Sequence, residues 1–150
     1  MSEPNSADFA LIKIQTDAGP PAVFTLLCGI EGVNINRTAQ TSERYRRDCA
    51  KPNRPGTRKL RVTGSSWQIT GSGNDNVDLE TEWTDAFGVR KIYNVELYKD
   101  DGTDAGELMG SYAGTAILTT RNQAYTQDGD SGTTEVTLEG EGLLVWTVAP

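Results

Sequence analysis

The sequence predicts a mainly β protein that forms a single domain over residues 1–150. Its 16 glycines, together with many Thr, Ser and Asn residues, are typical of strands joined by turns. Most segments alternate apolar and polar side chains, as strands with one buried face do, and only one segment has helical periodicity. Three Trp, five Tyr and three Phe residues can supply a core. Residues 1–7 are polar and are expected to be flexible.

The first half of the chain contains four predicted strands. In the fourth of them, the apolar residues expected to face inward are first at even-numbered positions, Leu60 and Val62. Further along the strand they are at odd-numbered positions, Trp67 and Ile69. Such a change of parity indicates a β-bulge between the two pairs. Cys28 ends an apolar run and is expected to be a buried small hydrophobe. The four predicted strands are residues 9–15, 22–28, 32–36 and 59–70.

One helix is predicted, over residues 76–87. Leu79, Trp83 and Phe87 recur at helical spacing, with Ala86 beside them, and form one apolar stripe. The Asn and Asp residues at positions 74–76 are suitable N-caps, and Gly88 is a suitable stop. We therefore expect Leu79, Trp83 and Phe87 to form the core between helix and sheet.

The second half of the chain returns to strand patterns. The clearest of them, residues 133–142, places Glu135, Thr137 and Glu139 on one polar face. The Asp-Gly pair within Asp128-Gly129-Asp130 lies between two such segments and predicts a hairpin turn. Strands are predicted at residues 89–99, 133–142 and 143–148, and residues 107–124 are predicted to form one long strand or a pair of strands.

A basic stretch interrupts this pattern at residues 37–61. It holds nine of the 14 Lys and Arg residues and only two carboxylates, a net charge of +7, whereas the whole chain has a net charge of −7. The remaining residues therefore carry −14. We expect residues 37–58 to form a long polar loop, and a loop of that length in a compact domain usually has a function. The acidic surface that it complements best is that of another copy of the chain.

No motif indicates catalysis or a bound metal or cofactor. The chain has no His, which excludes an imidazole base and Ser-His or Cys-His pairs. Cys28 and Cys49 lack zinc-site spacing, and the acidic turns at residues 100–104 and 128–130 lack the ligand spacing of a calcium loop. No Gly-rich loop has phosphate-binding spacing. We expect no enzyme activity, no metal and no cofactor.

Composition also bears on which partners the protein is expected to have and on the compartment in which it folds. A pI of about 4.6 argues against a free-standing nucleic-acid-binding protein, which needs a basic face. No apolar run approaches the ~20 residues that a membrane span needs, so no membrane binding is expected. The N-terminus has no secretory-signal pattern, and we expect the chain to fold in a cytoplasm.

The order of elements resembles that of the major tail tube proteins of bacteriophages with long, non-contractile tails. The similarity rests on two strands, a long polar loop between hairpin strands, a Gly-Ser-Gly before one short helix, and a final long hairpin. It covers nearly the whole chain. The segments that carry it are GSSWQITGSG at residues 64–73, the helix up to Phe87, GTAILTT at residues 114–120, and TTEVTLEGEG at residues 133–142.

The resemblance implies a β-sandwich or half-barrel whose strands complete a β-barrel when six copies close into a ring. Rings would stack into a tube through which phage DNA passes without specific binding. The partners implied are further copies of the chain, the tape-measure protein, and tail terminator and tip proteins. The protein would be made and assembled in the cytoplasm of the bacterial host and would reside in the virion tail.

The resemblance also implies roles for particular side chains. The loop at residues 37–58 would contact the adjacent ring, with Arg44, Arg46, Arg47 and Arg54 meeting carboxylates of the neighbouring subunit. Glu135 and Glu139 would line the lumen, because an acidic wall repels DNA and lets it slide. Lys59 and Arg61, on the polar face of a neighbouring strand, are in tension with an acidic lumen.

Three other interpretations remain open at the level of sequence. The chain could be another ring or tube component of related fold, such as a tail terminator or a secretion-system tube protein. A β-sandwich module that binds carbohydrate or a receptor is a second possibility, although its aromatic residues would have to be exposed, and Trp67, Trp83 and Trp146 occupy core-like positions. An enzyme is the least favoured.

Overall fold

The computed structural model describes residues 3–127 and 131–150, so the predicted turn at Asp128-Gly129-Asp130 lies outside the described residues. The described residues form one antiparallel seven-stranded sheet and one short helix, which confirms the mainly β prediction. The strands are β1 (Phe9–Asp17), β2 (Val23–Leu26), β3 (Ile30–Arg46), β4 (Thr57–Asn74), β5 (Arg90–Lys99), β6 (Glu107–Ala124) and β7 (Thr133–Val148). Their spatial order is β2-β1-β5-β6-β7-β4-β3.

The sheet is strongly curled, and its two edge strands approach each other. β2 and β3 lie at opposite edges, yet only residues 27–29 connect them. A chain of that length spans at most about 15 Å, so the edges must lie close together at this end. The Leu27 amide donates to the Ile12 carbonyl at 2.9 Å, and the Asn74 amide donates to the Gly29 carbonyl at 2.9 Å. The result is a half-barrel that is not closed within one chain.

One apolar core fills the inside of the curl. Six strands contribute to it, and five of them do so with two alternate residues each, as the period-2 geometry of strands requires. Tyr93, Leu118 and Leu138 are fully buried and belong to three adjacent strands. Burial of the Tyr93 hydroxyl raises its pKa to about 12. The core residues are Ile12, Ile14, Leu27, Ile30, Trp67, Ile69, Trp83, Ala86, Tyr93, Val95, Ala116, Leu118, Val136 and Leu138.

The helix covers one opening of this half-barrel and is shorter than the sequence predicts. A 3-10 turn (Val77–Leu79), capped by Asn76, precedes the α-helix α1 (Glu80–Ala86). Trp83 is buried and Leu79 is partly buried against the core. Phe87 departs from the prediction: it is 54% exposed, because the backbone becomes extended there and turns the ring away from the apolar stripe.

The largest correction concerns the predicted loop at residues 37–58. β3 continues to Arg46 and β4 begins at Thr57, so only residues 47–56 form a turn. The two strands pair from Ile30 opposite Gly73 to Arg46 opposite Thr57, with shifts of register between Ile30 and Gly32 and between Gln40 and Thr41. The second shift lies between Val62 and Gly64 of β4, where the sequence predicts a β-bulge. Residues 37–46 of β3 were not recognised as a strand, because a segment that is exposed on both faces and is mostly polar shows no apolar alternation.

Three smaller predictions about burial are wrong. Leu60 and Val62 are 56% and 65% exposed, because the part of β4 that contains them has no core beneath it. Cys28 is exposed in the short connection between β2 and β3. Trp146 is 43% exposed and packs on Tyr112 instead of entering the core.

Candidate assembly surfaces

The basic stretch forms a two-stranded ribbon that projects from the sheet. β7 pairs with β4 only from Gln68 to Asn74, so residues 57–67 of β4 have β3 as their only paired neighbour. We call residues 37–66 the arm. Ten strand residues at about 3.3 Å each make the ribbon roughly 33 Å long, measured from near its last pairing with β7.

The two faces of the arm differ in chemistry. Side chains that pair directly across an antiparallel ladder share a face. One face carries Tyr45 opposite Arg58, Leu60 opposite Glu43, and Val62 opposite Thr41. Glu43 and Arg58 form an ion pair at 2.8 Å, so this apolar face is electrically neutral. The other face is basic and carries Arg44, Arg46, Lys59 and Arg61, with Ser42.

The four arginines predicted to contact a neighbour occupy two parts of the arm. Arg44 and Arg46 lie on the basic face, whereas Arg47 and Arg54 lie in the turn at the tip. All four are exposed. Among the described residues, none of their side chains forms an ion pair. The structure therefore places a cluster of uncompensated cations at one end of the molecule.

A tryptophan marks the place where the arm leaves the body. Trp67 is buried, and its indole N–H donates to the Gly142 carbonyl at 3.2 Å. Its ring lies against Gly140, where an added Cβ would come within 2.1 Å of it. On the same face, the Arg37 guanidinium donates to the Tyr112 hydroxyl at 3.0 Å and stacks on its ring. These contacts hold the base of the arm, beyond which β4 and β7 have unpaired edges facing each other.

Glu135 and Glu139 lie on the face of the sheet opposite the core. Both are exposed, and the Glu139 carboxylate accepts a hydrogen bond from the Gln68 amide at 2.7 Å. Other carboxylates of this face are compensated, Glu96 by Lys13 at 3.1 Å and Glu141 by Arg90. Through the pairs Glu139–Gln68 and Gln68–Asn36, this face is continuous with the basic face of the arm.

A buried arginine, which the sequence analysis did not identify, connects the helix to the sheet. The Arg121 side chain is 7% exposed, donates to both carboxylate oxygens of Glu80 at 2.9 Å, and lies 3.4 Å from Asp75. Its guanidinium also stacks on Trp83. The hydrogen bond that Tyr125 donates to Asp75 raises the pKa of Tyr125. No local signal marks Arg121, because its partners lie 41 and 46 residues away.

The helix arranges its residues in three stripes. Leu79, Trp83 and Ala86 face the core, and Glu80 faces Arg121. Asp78, Glu82 and Asp85, at i, i+4 and i+7, form a third stripe. Within the described residues these three carboxylates form no ion pair.

The described residues contain no group of three or more His, Cys, Asp or Glu side chains that could hold a metal ion. In the same residues, no helix is long and apolar enough to cross a membrane.

Solved structures with the same architecture come from tails and tubes. A chain from the tail of an empty gene transfer agent particle, refined with C6 symmetry, matches with a TM-score of 0.67 and 19% identity, over 99% of this chain and 100% of that one. The SPP1 tail tube matches with a TM-score of 0.64 and 12% identity, over 97% and 80%. The fold is the tail-tube fold.

A third similar structure with this tail-tube fold belongs to a contractile injection system. A chain from the structure of the sheath/tube terminator of an extracellular system of this kind matches with a TM-score of 0.65 and 16% identity, over 99% of each chain. Comparison with protein-family models and with curated proteins gives no match. At these identities the similarity establishes the fold, and it confirms at that level the resemblance stated from the sequence.

Proposed function

We propose that the protein is the structural subunit of a phage-type tail tube, in which hexameric rings stack into a hollow tube that conducts DNA. The observation that carries the proposal is the match of nearly the whole chain to subunits of two different tails. Each ring would also meet a tape-measure protein in the lumen and terminator and tip proteins at the ends. Assembly would take place in the host cytoplasm, and the product would be part of the virion tail.

The unpaired strand edges support this proposal on physical grounds. β3 is an edge strand of 17 residues, and long exposed edges readily pair with another chain. A sheet that is curled but open can satisfy its edges by continuing into the next copy, and a closed ring leaves no edge unpaired. In this proposal, ring formation completes the β-barrel.

Electron microscopy of the purified protein tests the proposal directly. Negatively stained samples at increasing protein concentration are expected to contain hollow tubes with six-fold end views. A population made only of single rings would instead favour a terminator, the candidate that the match to a sheath/tube terminator supports. A protein that stays monomeric at every concentration would contradict both the tube and the terminator function, provided that it also stays monomeric when mixed with tail extracts that lack the endogenous subunit.

We further propose that Glu135 and Glu139 face the lumen. The double substitution Glu135→Lys, Glu139→Lys is expected to slow DNA ejection from particles that carry it, because a basic wall holds the phosphate backbone that an acidic wall repels. Ejection is measured as the rate of DNA release after receptor triggering. The matched control is Glu135→Gln, Glu139→Gln, which removes charge without reversing it and should slow ejection less. An unchanged rate in the Lys variant would exclude a lumenal position.

The same proposal assigns the uncompensated arginines to the contact between stacked rings. Arg44, Arg46, Arg47 and Arg54 would meet carboxylates of the neighbouring copy. Because exposed ion pairs are screened beyond a Debye length of about 10 Å at 0.1 M salt, tubes are expected to form less readily as salt rises. Turbidity or sedimentation at 0.05 to 0.5 M NaCl measures this effect. Tubes that form equally well across that range would show that these arginines contribute little.

A further inference from the structure

A β-bulge in β4 decides which face of the arm carries which side chains. Consecutive residues of β3, Gln40 and Thr41, pair with residues of β4 that lie two positions apart, so Thr63 is an extra residue. The Thr63 hydroxyl donates a hydrogen bond to the Gln40 carbonyl at 3.2 Å. An extra residue reverses the alternation of side chains along its strand. Toward the tip of the arm, odd-numbered residues of β4 therefore lie on the face that even-numbered residues occupy in the body.

This reversal places Lys59 and Arg61 on the same face of the sheet as Glu135 and Glu139. In the body, Glu139 pairs with Gln68, and both lie on the face opposite the core. Even-numbered residues of β3 follow that face into the arm, where they pair with Lys59 and Arg61. Side chains that pair directly across an antiparallel ladder share a face. We call the face opposite the core, with its continuation on the arm, the non-core face.

Lys59 and Arg61 have no counter-charge within the part of the chain that the structure describes. Both residues are exposed, and neither side chain forms an ion pair with another described residue. Lys59 lies directly opposite Arg44, and like charges that face each other across a ladder destabilise the strand pair. The proposed contact between rings uses Arg44 but leaves Lys59 and Arg61 without a partner. An anion that approaches the non-core face from outside the chain relieves this repulsion.

The non-core face carries two separate bands of opposite charge. We call Glu135 and Glu139 the acidic band, and Lys59 and Arg61 the basic band. Arg61 and Gln68, the partner of Glu139, are separated along β4 by roughly 20 Å, at about 3.3 Å per residue. The two β4 residues between them on this face, a serine and a glycine, are uncharged. The charges of one band are therefore too far from those of the other to neutralise them.

We propose that the basic band binds the phosphate backbone of duplex DNA, without reading its sequence, as the DNA passes each ring. This inference rests on the proposed tube function and on the proposed lumenal position of Glu135 and Glu139. If those carboxylates face the lumen, Lys59 and Arg61 face it as well, because they lie on the same face. Lysine and arginine bind phosphate oxygens through charge-assisted hydrogen bonds. Each ring then presents a circle of cations beside a circle of carboxylates.

The two bands act on DNA in opposite directions. The acidic band repels the phosphates and keeps the duplex away from the wall, whereas the basic band attracts them and retains the duplex. Because duplex DNA carries one negative charge per about 1.7 Å of its axis, every ring faces phosphates at any position of the DNA. The basic band therefore slows DNA release independently of sequence, and salt weakens its effect.

Fluorescence anisotropy with a short labelled DNA duplex tests the site on the purified protein, below the concentration at which tubes form. The wild type is expected to bind at low salt, with a logarithm of the association constant that falls linearly with the logarithm of the salt concentration. In the variant Lys59→Gln, Arg61→Gln this slope is expected to be smaller by about 1.8, because each phosphate contact contributes about 0.9. No binding by the wild type, or equal slopes in the two proteins, would overturn the inference.

The matched control for this measurement is Lys91→Gln, Lys99→Gln. It removes the same charge from the opposite face of the sheet, because these two lysines alternate along β5 with the buried residues Tyr93 and Val95. The control is expected to keep the wild-type slope. Circular dichroism and thermal melting confirm that both variants are folded.

The rate of DNA release from assembled particles tests whether the basic band lies in the lumen. Particles that carry Lys59→Gln, Arg61→Gln are expected to release DNA faster than the wild type at low salt and at the same rate at high salt. The control Lys91→Gln, Lys99→Gln is expected to release DNA at the wild-type rate at both. If the purified wild type binds DNA but release is unchanged in the Lys59→Gln, Arg61→Gln variant, the basic band lies outside the lumen and the inference fails.

Tube formation by the same variants separates this inference from the tube function. If Lys59→Gln, Arg61→Gln raises the concentration needed for tube formation and leaves DNA release unchanged, the two cations belong to a contact between copies. The inference then fails and the tube function stands. If the wild type forms neither tubes nor rings, the tube function fails, and the salt slopes of the purified proteins alone decide whether the basic band binds phosphate.

Discussion

Replacing residues 42–61 with Asn-Gly is expected to give a folded protein that forms no stacked tubes. Thr41 pairs directly with Val62, so a two-residue turn can join them without disturbing the rest of the hairpin. The deletion removes all four arginines that are proposed to join rings. Sedimentation velocity and negative-stain imaging should detect monomers or single rings in place of tubes.

A shorter deletion separates the tip of the arm from its faces. Replacing residues 47–56 with Asn-Gly joins Arg46 to Thr57, another paired position, and removes Arg47 and Arg54 while both faces remain. This variant is expected to form tubes at a higher protein concentration than the wild type. If the variant with the longer deletion forms normal tubes, the arm has no role in tube formation. If the shorter deletion is already sufficient to abolish tubes, the role belongs to the tip of the arm.

Most elements of the body were predicted from the sequence because they have a buried face, although residues 133–142 and 143–148, predicted as two strands, form the single strand β7. Residues 107–124, predicted as one long strand or a pair of strands, form the single strand β6 with the same bounds, and Ala116 and Leu118 alternate into the core. Trp67 and Ile69 were placed correctly for the same reason. Burial on one face creates the alternation that periodicity detects.

The arm could not be predicted in this way, because neither of its faces is buried in one copy. Leu60 and Val62 alternate with Lys59 and Arg61, and this pattern looked like a strand over the core. The opposite strand, β3, carries polar and charged residues from Arg37 to Arg46 and looked like a loop. The part of β4 that carries Leu60 and Val62 has no core beneath it, and this explains why the inward assignment of these two residues is wrong.

The position of Phe87 and the role of Arg121 were missed for a different reason. Helical spacing placed Phe87 on the apolar stripe, but the helix ends at Ala86, one residue too early. Arg121 acts through tertiary contacts with Glu80 and Asp75. Local periodicity contains no information about the exposure of Phe87 or the ion pairs of Arg121, because both depend on how the helix packs against β6.

Substituting Arg121 with Met is expected to lower the free energy of unfolding by about 3–5 kcal/mol, because it leaves a buried carboxylate without its cation. The Asp75 side chain is 4% exposed and would lose its ionic partner, although the hydrogen bond from Tyr125 would remain. Glu80 is 42% exposed and can turn toward water, so most of the cost arises at Asp75. Urea unfolding monitored by tryptophan fluorescence measures the change, and Trp83, which packs on Arg121, provides a local signal.

The control for this experiment is the triple variant Arg121→Met, Asp75→Asn, Glu80→Gln. Removing all three charges together is expected to restore much of the stability, since a buried ion pair often contributes little beyond what apolar or neutral groups provide. A single Arg121→Met change that costs less than about 1 kcal/mol would show that α1 is held by Trp83 and Ala86 alone.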